Sequence, residues 1–288
     1  MNQIVSTAAL RAPIPQSFGT VFGSLSFIRP QDTKPAFRSA AITGGDPELL
    51  FETEPHTVPV ADMRMISESL SIDREGFELL EHSTAVEDLY DDAAIEAVYY
   101  PEIEALLRRR FHADRVVIFD ATRRSDNGVG ARNPDGLRGP ATRVHVDYTA
   151  KSGPQRARDF LGEAEVERLT AAGARIVQVN VWRPIRGPVR RAPLALADAT
   201  SVRSNHLVAT DQVFADRVGE IYHLAYDPTQ RWYYAPDMTP DEVLLIKGWD
   251  SKDDGRAQFT PHSAFQLPDE DSAPPRESIE LRTYVIVE

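Results

Sequence analysis

The sequence predicts a mainly β protein, with a jelly-roll-like core of sandwich or barrel type carrying two or three helices. Two observations predict it. From residue 174 onward, short apolar segments recur, each closed by a turn rich in Pro, Asp or Gly. Helical periodicity is confined to two or three stretches before or between those segments. With 288 residues, 42% hydrophobic and 8% aromatic, the chain can bury a sizeable core. We read one domain. Residues 1–139 form an N-terminal wrapping and helical part, and 140–288 the C-terminal part of the β core, with most of the motifs discussed below. No internal repeat is visible.

Residues 1–60 are short apolar pieces broken by prolines. Thr20 to Ile28 can hold one or two strands, Pro30 to Pro35 is a turn-rich connector, and His56 reads as a loop histidine. Ser83 is a plausible N-cap for a helix ending near Tyr99, and Pro101 suits the first turn of a second. Ile103, Leu106, Leu107 and Phe111 then mark one apolar helix face, with Arg108 to Arg110 at its C-terminal end. His82 and His112 carry no functional signal. Arg115 to Asp120 reads as a short buried strand. Ser125 to Arg138, rich in Gly, Asn and Asp, reads as a surface loop and part of a lid.

After Thr149, a helix runs to about Ala172 and stops at Gly173, with Phe160, Leu161, Ala164 and Leu169 inward. The strand Ala174 to Trp182 puts Val177, Val179 and Val181 on one face. Ile176, Gln178, Asn180 and Trp182 fall on the other. That polar face suits either a pocket wall or water. Further strands follow at Pro193 to Asp198, Glu220 to Tyr226, Arg231 to Tyr234, Glu242 to Gly248 and Ile279 to Val287.

Charge and composition narrow the function. The chain carries 44 acidic against 32 basic residues, net -12. That argues against nucleic acid and anionic membrane as partners, since both select concentrated positive charge. With no cysteine, disulfides, thiolate metal sites and cysteine nucleophiles are excluded. Met1 to Arg11 lacks the pattern of a signal peptide, and no apolar run approaches a membrane span, so the chain reads as cytoplasmic.

Chemistry concentrates in Arg143-Val144-His145-Val146-Asp147-Tyr148-Thr149. In a strand, residues two apart share a face, so His145 and Asp147 can converge. An imidazole and a carboxylate are two thirds of a facial triad for iron(II), which needs one more histidine. His206, His223 and His262 follow. His206 lies in a polar stretch, and His223 alternates with Ile221 and Ala225 on a mostly apolar face. Fourteen residues after His262 comes Arg276-Glu277-Ser278, opening the last strand. Arg276 and Ser278 share a face there, and an arginine fork beside a hydroxyl suits a carboxylate.

This order, His-x-Asp, a distant His, then Arg-x-Ser, resembles the iron(II)/2-oxoglutarate-dependent oxygenase superfamily. Within it, the chain is similar to the gibberellin A4 desaturase-like and asaB-like hydroxylase/desaturases, with which the cephamycin 7α-methoxylation accessory protein belongs. The resemblance is carried by His145 to Thr149, Val179 to Ile185, Pro193 to Asp198, Arg231 to Tyr234, Asp241 to Ser251 and Pro275 to Glu280, within about residues 140–288. It implies a double-stranded β-helix, iron(II) held by His145, Asp147 and His262, and 2-oxoglutarate bound through Arg276 with help from Ser278. It further implies dioxygen and a small-molecule substrate, hydroxylated, desaturated or cyclised at an unactivated C–H bond. Gln178, Asn180 and Trp182 are then expected in the pocket wall opposite the metal. The acidic, proline-rich Asp269 to Pro275 makes the gap between His262 and Arg276 longer than usual, which leaves Arg282 as an alternative carboxylate partner. Two other readings stand beside this one: a cupin-type metal enzyme that does not use 2-oxoglutarate, and a non-catalytic accessory or binding protein.

Overall fold

Strands dominate the computed structural model, which describes residues 19–38, 40–43, 47–133, 136–268 and 270–288. The stretch Met1 to Arg11, and Pro134, Asp135 and Asp269 of the loops quoted above, lie outside the described residues. In chain order the strands are β1 Val21–Ile28, β2 Ala36–Arg38, β3 Glu48–Leu49, β4 Thr53–Asp62, β5 Phe77–Glu81 and β6 Arg115–Ser125. Then come β7 Ala131–Asn133, β8 Gly136–Arg138, β9 His145–Val146, β10 Arg175–Pro184, β11 Leu194–Ala197 and β12 Leu207–Val213. The chain closes with β13 Val218–Leu224, β14 Trp232–Tyr234, β15 Glu242–Asp250, β16 His262–Ala264 and β17 Glu277–Val287.

Among the described residues the large sheet runs β1-β4-β14-β11-β16-β9-β13-β12-β2-β3, and a second runs β5-β15-β10-β17-β6. Mostly non-consecutive neighbours fit the jelly-roll type of fold expected. The two sheets meet through one apolar cluster. Phe77, Trp182, Leu244 and Ile246 of the smaller sheet pack with Leu194, Leu196 and Tyr233 of the larger. The outer face of the smaller sheet is covered by the helix Tyr100–Phe111, whose Ile103, Leu106 and Leu107 pack on Val177, Val179 and Val181 of β10. Each such fully buried aliphatic side chain contributes about 1.5–3 kcal/mol. The two-residue alternation of β10 is thus satisfied on both sides, and neither face meets water.

Several local expectations are corrected. His56 lies within β4, paired with Leu25 of β1, and its ring stacks on Tyr226. The helical run begins later than Ser83. Asp91 is its cap, accepting from the backbone N–H of Ala93 and Ala94, because a carboxylate there satisfies two orphan donors. The run is continuous through Tyr99, with a π-helical turn, Ile95–Tyr99, just before Pro101. The strand at Arg115 extends to Ser125, and the loop after it contains the β7–β8 hairpin. The stretch after Thr149 is two helices, Ser152–Leu161 and Glu163–Ala171, broken at Gly162 with φ +90°. The break resets the helical phase, so Ala157 and Val166 are buried with Leu169, while Phe160 and Ala164 are exposed. Leu207–Val213 is a strand that pattern reading missed. Its buried Thr210 interrupts the apolar alternation.

Candidate metal centre

The site forms where β9 meets β16 in the large sheet and faces β10 and β17 of the small one. His262 is directly opposite His145 in the antiparallel pair β16–β9. Directly opposed residues point to one face, and the two rings lie with centroids 4.6 Å apart. Each ring is held the same way. Nδ1 of His145 donates to the Arg143 carbonyl at 2.8 Å, and Nδ1 of His262 to the Thr260 carbonyl at 3.0 Å. Anchoring Nδ1–H on a carbonyl leaves the Nε2 lone pair free on both rings.

Asp147 reaches the same point by a different route from that expected. β9 ends at Val146, so Asp147 stands in a bend one residue past the strand rather than on its face. Its Oδ1 is 3.7 Å from His145 Nε2. Its Oδ2 accepts from Asn180 Nδ2 at 2.7 Å and from Arg282 Nε at 3.4 Å. The ligand atoms of His145, Asp147 and His262 all lie within 4.8 Å of one another. Two imidazole nitrogens and one carboxylate oxygen at this separation fit a facial-triad iron(II) site.

Electrostatics suit that donor set. Burial, reinforced by His262, pushes the His145 imidazole down to about 3, so it is neutral near pH 7. Burial alone would raise the Asp147 carboxyl. Arg282, then His145 and His262, outweigh burial and hold it well below the ordinary range. His145 therefore presents a neutral nitrogen and Asp147 an anionic oxygen, the deprotonated forms a metal ion requires.

Behind Asp147 stands a relay on β10. Gln178 Nε2 donates to Asn180 Oδ1 at 2.6 Å, and Asn180 passes the order on to Asp147. Gly248 makes room for it, since a Cβ there would lie 1.8 Å from Gln178 Oε1. Of the three β10 residues expected in the pocket wall, only Trp182 lines the cavity. Asn180 touches the ligand carboxylate, and Gln178 is fully buried behind it.

The concavity at the two histidines has about 310 Å³ of empty volume, open solvent included. Arg124, Trp182, Arg276, Glu280 and Arg282 contribute to its lining. Arg276 is buried, donates Nη1 to the Ala192 carbonyl at 2.7 Å, and leaves Nε without a partner. Its guanidinium carbon is 5.8 Å from the centre of the Trp182 ring. Among the described residues no carboxylate pairs with it, and burial pushes it down to about 10. Arg282 is the opposite case: Asp120 at 2.6 Å, Glu280 at 2.9 Å and Asp147 at 3.4 Å already surround it. Ser278 is buried opposite Pro184 and Arg124 in β10 and β6, and is not among the cavity-lining residues. A larger, open concavity near Arg64 and Glu242 shares no residue with the cluster.

His223 also stands opposite His145, from β13. Its Nδ1 lies 3.0 Å from Thr210 Oγ1 and its ring packs against Phe51 and Phe37, outside the ligand cluster. His206 is buried beside Gln230 and Asp227. Sequence reading missed Arg124, because the strand was ended at Asp120. The register of β6 on β17, with Arg124 opposite Ser278, is what brings it in.

A family model described as an oxidoreductase/YMDC permease-like domain matches residues 25–286. Hydroxylase/desaturase efuI of Hormonema carpetanum is 33% identical, across 85% of this chain and 88% of its own. The Fe(II)/2-oxoglutarate-dependent dioxygenase nvfI of Aspergillus novofumigatus is 30% identical, across 84% and 87%. The chain belongs to the iron(II)/2-oxoglutarate-dependent dioxygenases of the hydroxylase/desaturase group. The solved structure of the iron and alpha-ketoglutarate-dependent endoperoxidase NvfI superposes with TM-score 0.81 at 28% identity, covering 93% of this dioxygenase and 98% of that chain. Among its described residues, no helix is long and apolar enough to cross a membrane.

Proposed function

We propose that this dioxygenase oxidises an unactivated C–H bond of a small metabolite, by hydroxylation, desaturation or cyclisation. In this reading His145, Asp147 and His262 hold iron(II), and Arg276 holds the distal carboxylate of 2-oxoglutarate. The observation that carries it is the pairing of the ligand cluster with a buried, carboxylate-free arginine on one cavity. When bound, iron(II), 2-oxoglutarate and dioxygen supply the oxidant and leave succinate and carbon dioxide. The chain's own residues bind and orient. Asn180 and Arg282 occupy Oδ2 of Asp147, so Oδ1 alone is free to ligate. Trp182 lies under the Arg276 guanidinium and gives that side of the cavity an apolar wall. Ser278, two residues beyond Arg276, is buried in the sheet and outside the cavity lining.

Arg282 is the less favoured anchor because its charge is already met by three carboxylates. A net charge of -12 supports a small-molecule substrate over a polyanionic one. We extend the reading to one domain acting in the cytoplasm. The test is anaerobic addition of iron(II) and 2-oxoglutarate. A weak visible charge-transfer band, followed in air by succinate release with a panel of small metabolites, is expected. An iron-only spectrum would favour a cupin-type enzyme, and no metal uptake a binding protein.

A further inference from the structure

Three arginines line the cavity, and two of them have an anionic partner, in side chains or in the proposed co-substrate. Arg282 is surrounded by Asp120, Glu280 and Asp147. Arg276 is matched, in the reading above, by the distal carboxylate of 2-oxoglutarate. The third cavity arginine, Arg124, makes one hydrogen bond, Nη1 to the Gly139 carbonyl at 2.9 Å, and no ion pair among the described residues. Its nearest acidic neighbour in the cavity, Glu280, is already bonded to Arg282. In a chain with a surplus of acidic residues, a half-buried guanidinium without a carboxylate is costly unless a ligand supplies one.

We propose that Arg124 is a specificity-determining residue that binds a carboxylate on the organic substrate. Its position supports this role. β6 places Arg124 directly opposite Ser278 of β17, beside the start of the segment that carries Arg276. The Gly139 bond draws its fork toward the chain entering Ala141, another lining residue. The hairpin beside it is pinned, because Asn133 exchanges hydrogen bonds with the backbone N–H and C=O of Arg123. The fork is therefore held at the wall, with donors left for a planar anion. Trp182, Leu194 and Ala264 supply apolar lining next to it. The substrate class is a small carboxylic acid with an apolar body, anchored by its carboxylate so that a C–H bond faces the iron.

This inference rests on the proposed function, and its test separates the two. Protein loaded anaerobically with iron(II) and 2-oxoglutarate is titrated calorimetrically with 4-phenylbutanoate and with its neutral isostere 4-phenylbutanamide. The carboxylate should bind at least about tenfold more tightly, as expected for one charge-assisted pair. Arg124→Gln should erase that preference while the charge-transfer band and 2-oxoglutarate affinity stay as in the parent. Arg124→Lys, which keeps the charge and the stem, should retain a reduced preference, and serves if the glutamine variant does not fold. A normal band with no preference in the parent, or an undiminished preference in either variant, overturns the role of Arg124 alone. A larger loss of 2-oxoglutarate affinity in Arg124→Gln than in Arg276→Gln overturns it too, by making Arg124 the co-substrate anchor. No band in the parent strikes the functional reading and this inference with it.

Discussion

His145 and His262 are directly opposed residues of adjacent antiparallel strands, each with Nδ1 tied to the carbonyl two residues before it. The candidate ligand cluster is thus written into strand register. The same register sets His223 opposite His145 from the other neighbour, yet its ring is spent on Thr210 and on Phe51. His145→Ala, Asp147→Ala and His262→Ala should each abolish or badly weaken iron(II) binding, with far-UV circular dichroism unchanged. His223→Ala should bind iron(II) like the parent. Retained stoichiometric iron in His262→Ala, with loss in His223→Ala, would reverse the assignment.

Arg276 and Arg282 should fail differently. Arg276→Gln is expected to raise the 2-oxoglutarate requirement by the equivalent of roughly 2–5 kcal/mol, with iron affinity unchanged. Arg282→Gln removes a partner of Asp147, so iron affinity should fall first. Titrations of each variant with iron(II), then with 2-oxoglutarate, read the two effects apart. Identical profiles would refute the distinction.

Asn180 should act as a positioning residue. Asn180→Ala frees Oδ2 of Asp147 and should weaken iron(II) binding about 10–100-fold, in the range typical for partners of metal ligands. Gly248→Ala forces the Gln178 amide out of its site from behind and should reduce iron affinity in the same direction, with some loss of stability. Unchanged iron affinity in both variants would show that the relay has no role.

His145 and His223 predict an acid-sensitive apoprotein. Burial pushes both His145 and His223 down to about 3, against an ordinary value near 6.5. The folded state therefore binds fewer protons than the unfolded state between those values, and stability falls as pH drops through that window. Each group contributes up to about 1.4 kcal/mol per pH unit there. Urea melts of the iron-free protein from pH 7 to 4 should show a declining midpoint, with a shallower slope in His223→Gln. An equal slope would place the titration elsewhere.

By itself the sequence determined the β class, most strand positions in the C-terminal half, and the residue types of the candidate ligand cluster. The period of two in β10 and the short apolar runs of β11, β14 and β15 are local properties, readable within single segments. Helix ends were less legible, because Asp91 and Gly162 act through one or two hydrogen bonds or one dihedral angle rather than through a pattern. The tertiary structure alone decided which cavity arginines lack a carboxylate and which histidine meets His145 at the candidate ligand cluster. It also decided that Asp147 is aimed by Asn180 rather than by a strand face. Those outcomes depend on register between segments up to more than a hundred residues apart, as in the pairing of β9 with β16. Such register is set by packing of the whole core, which no short window of sequence contains.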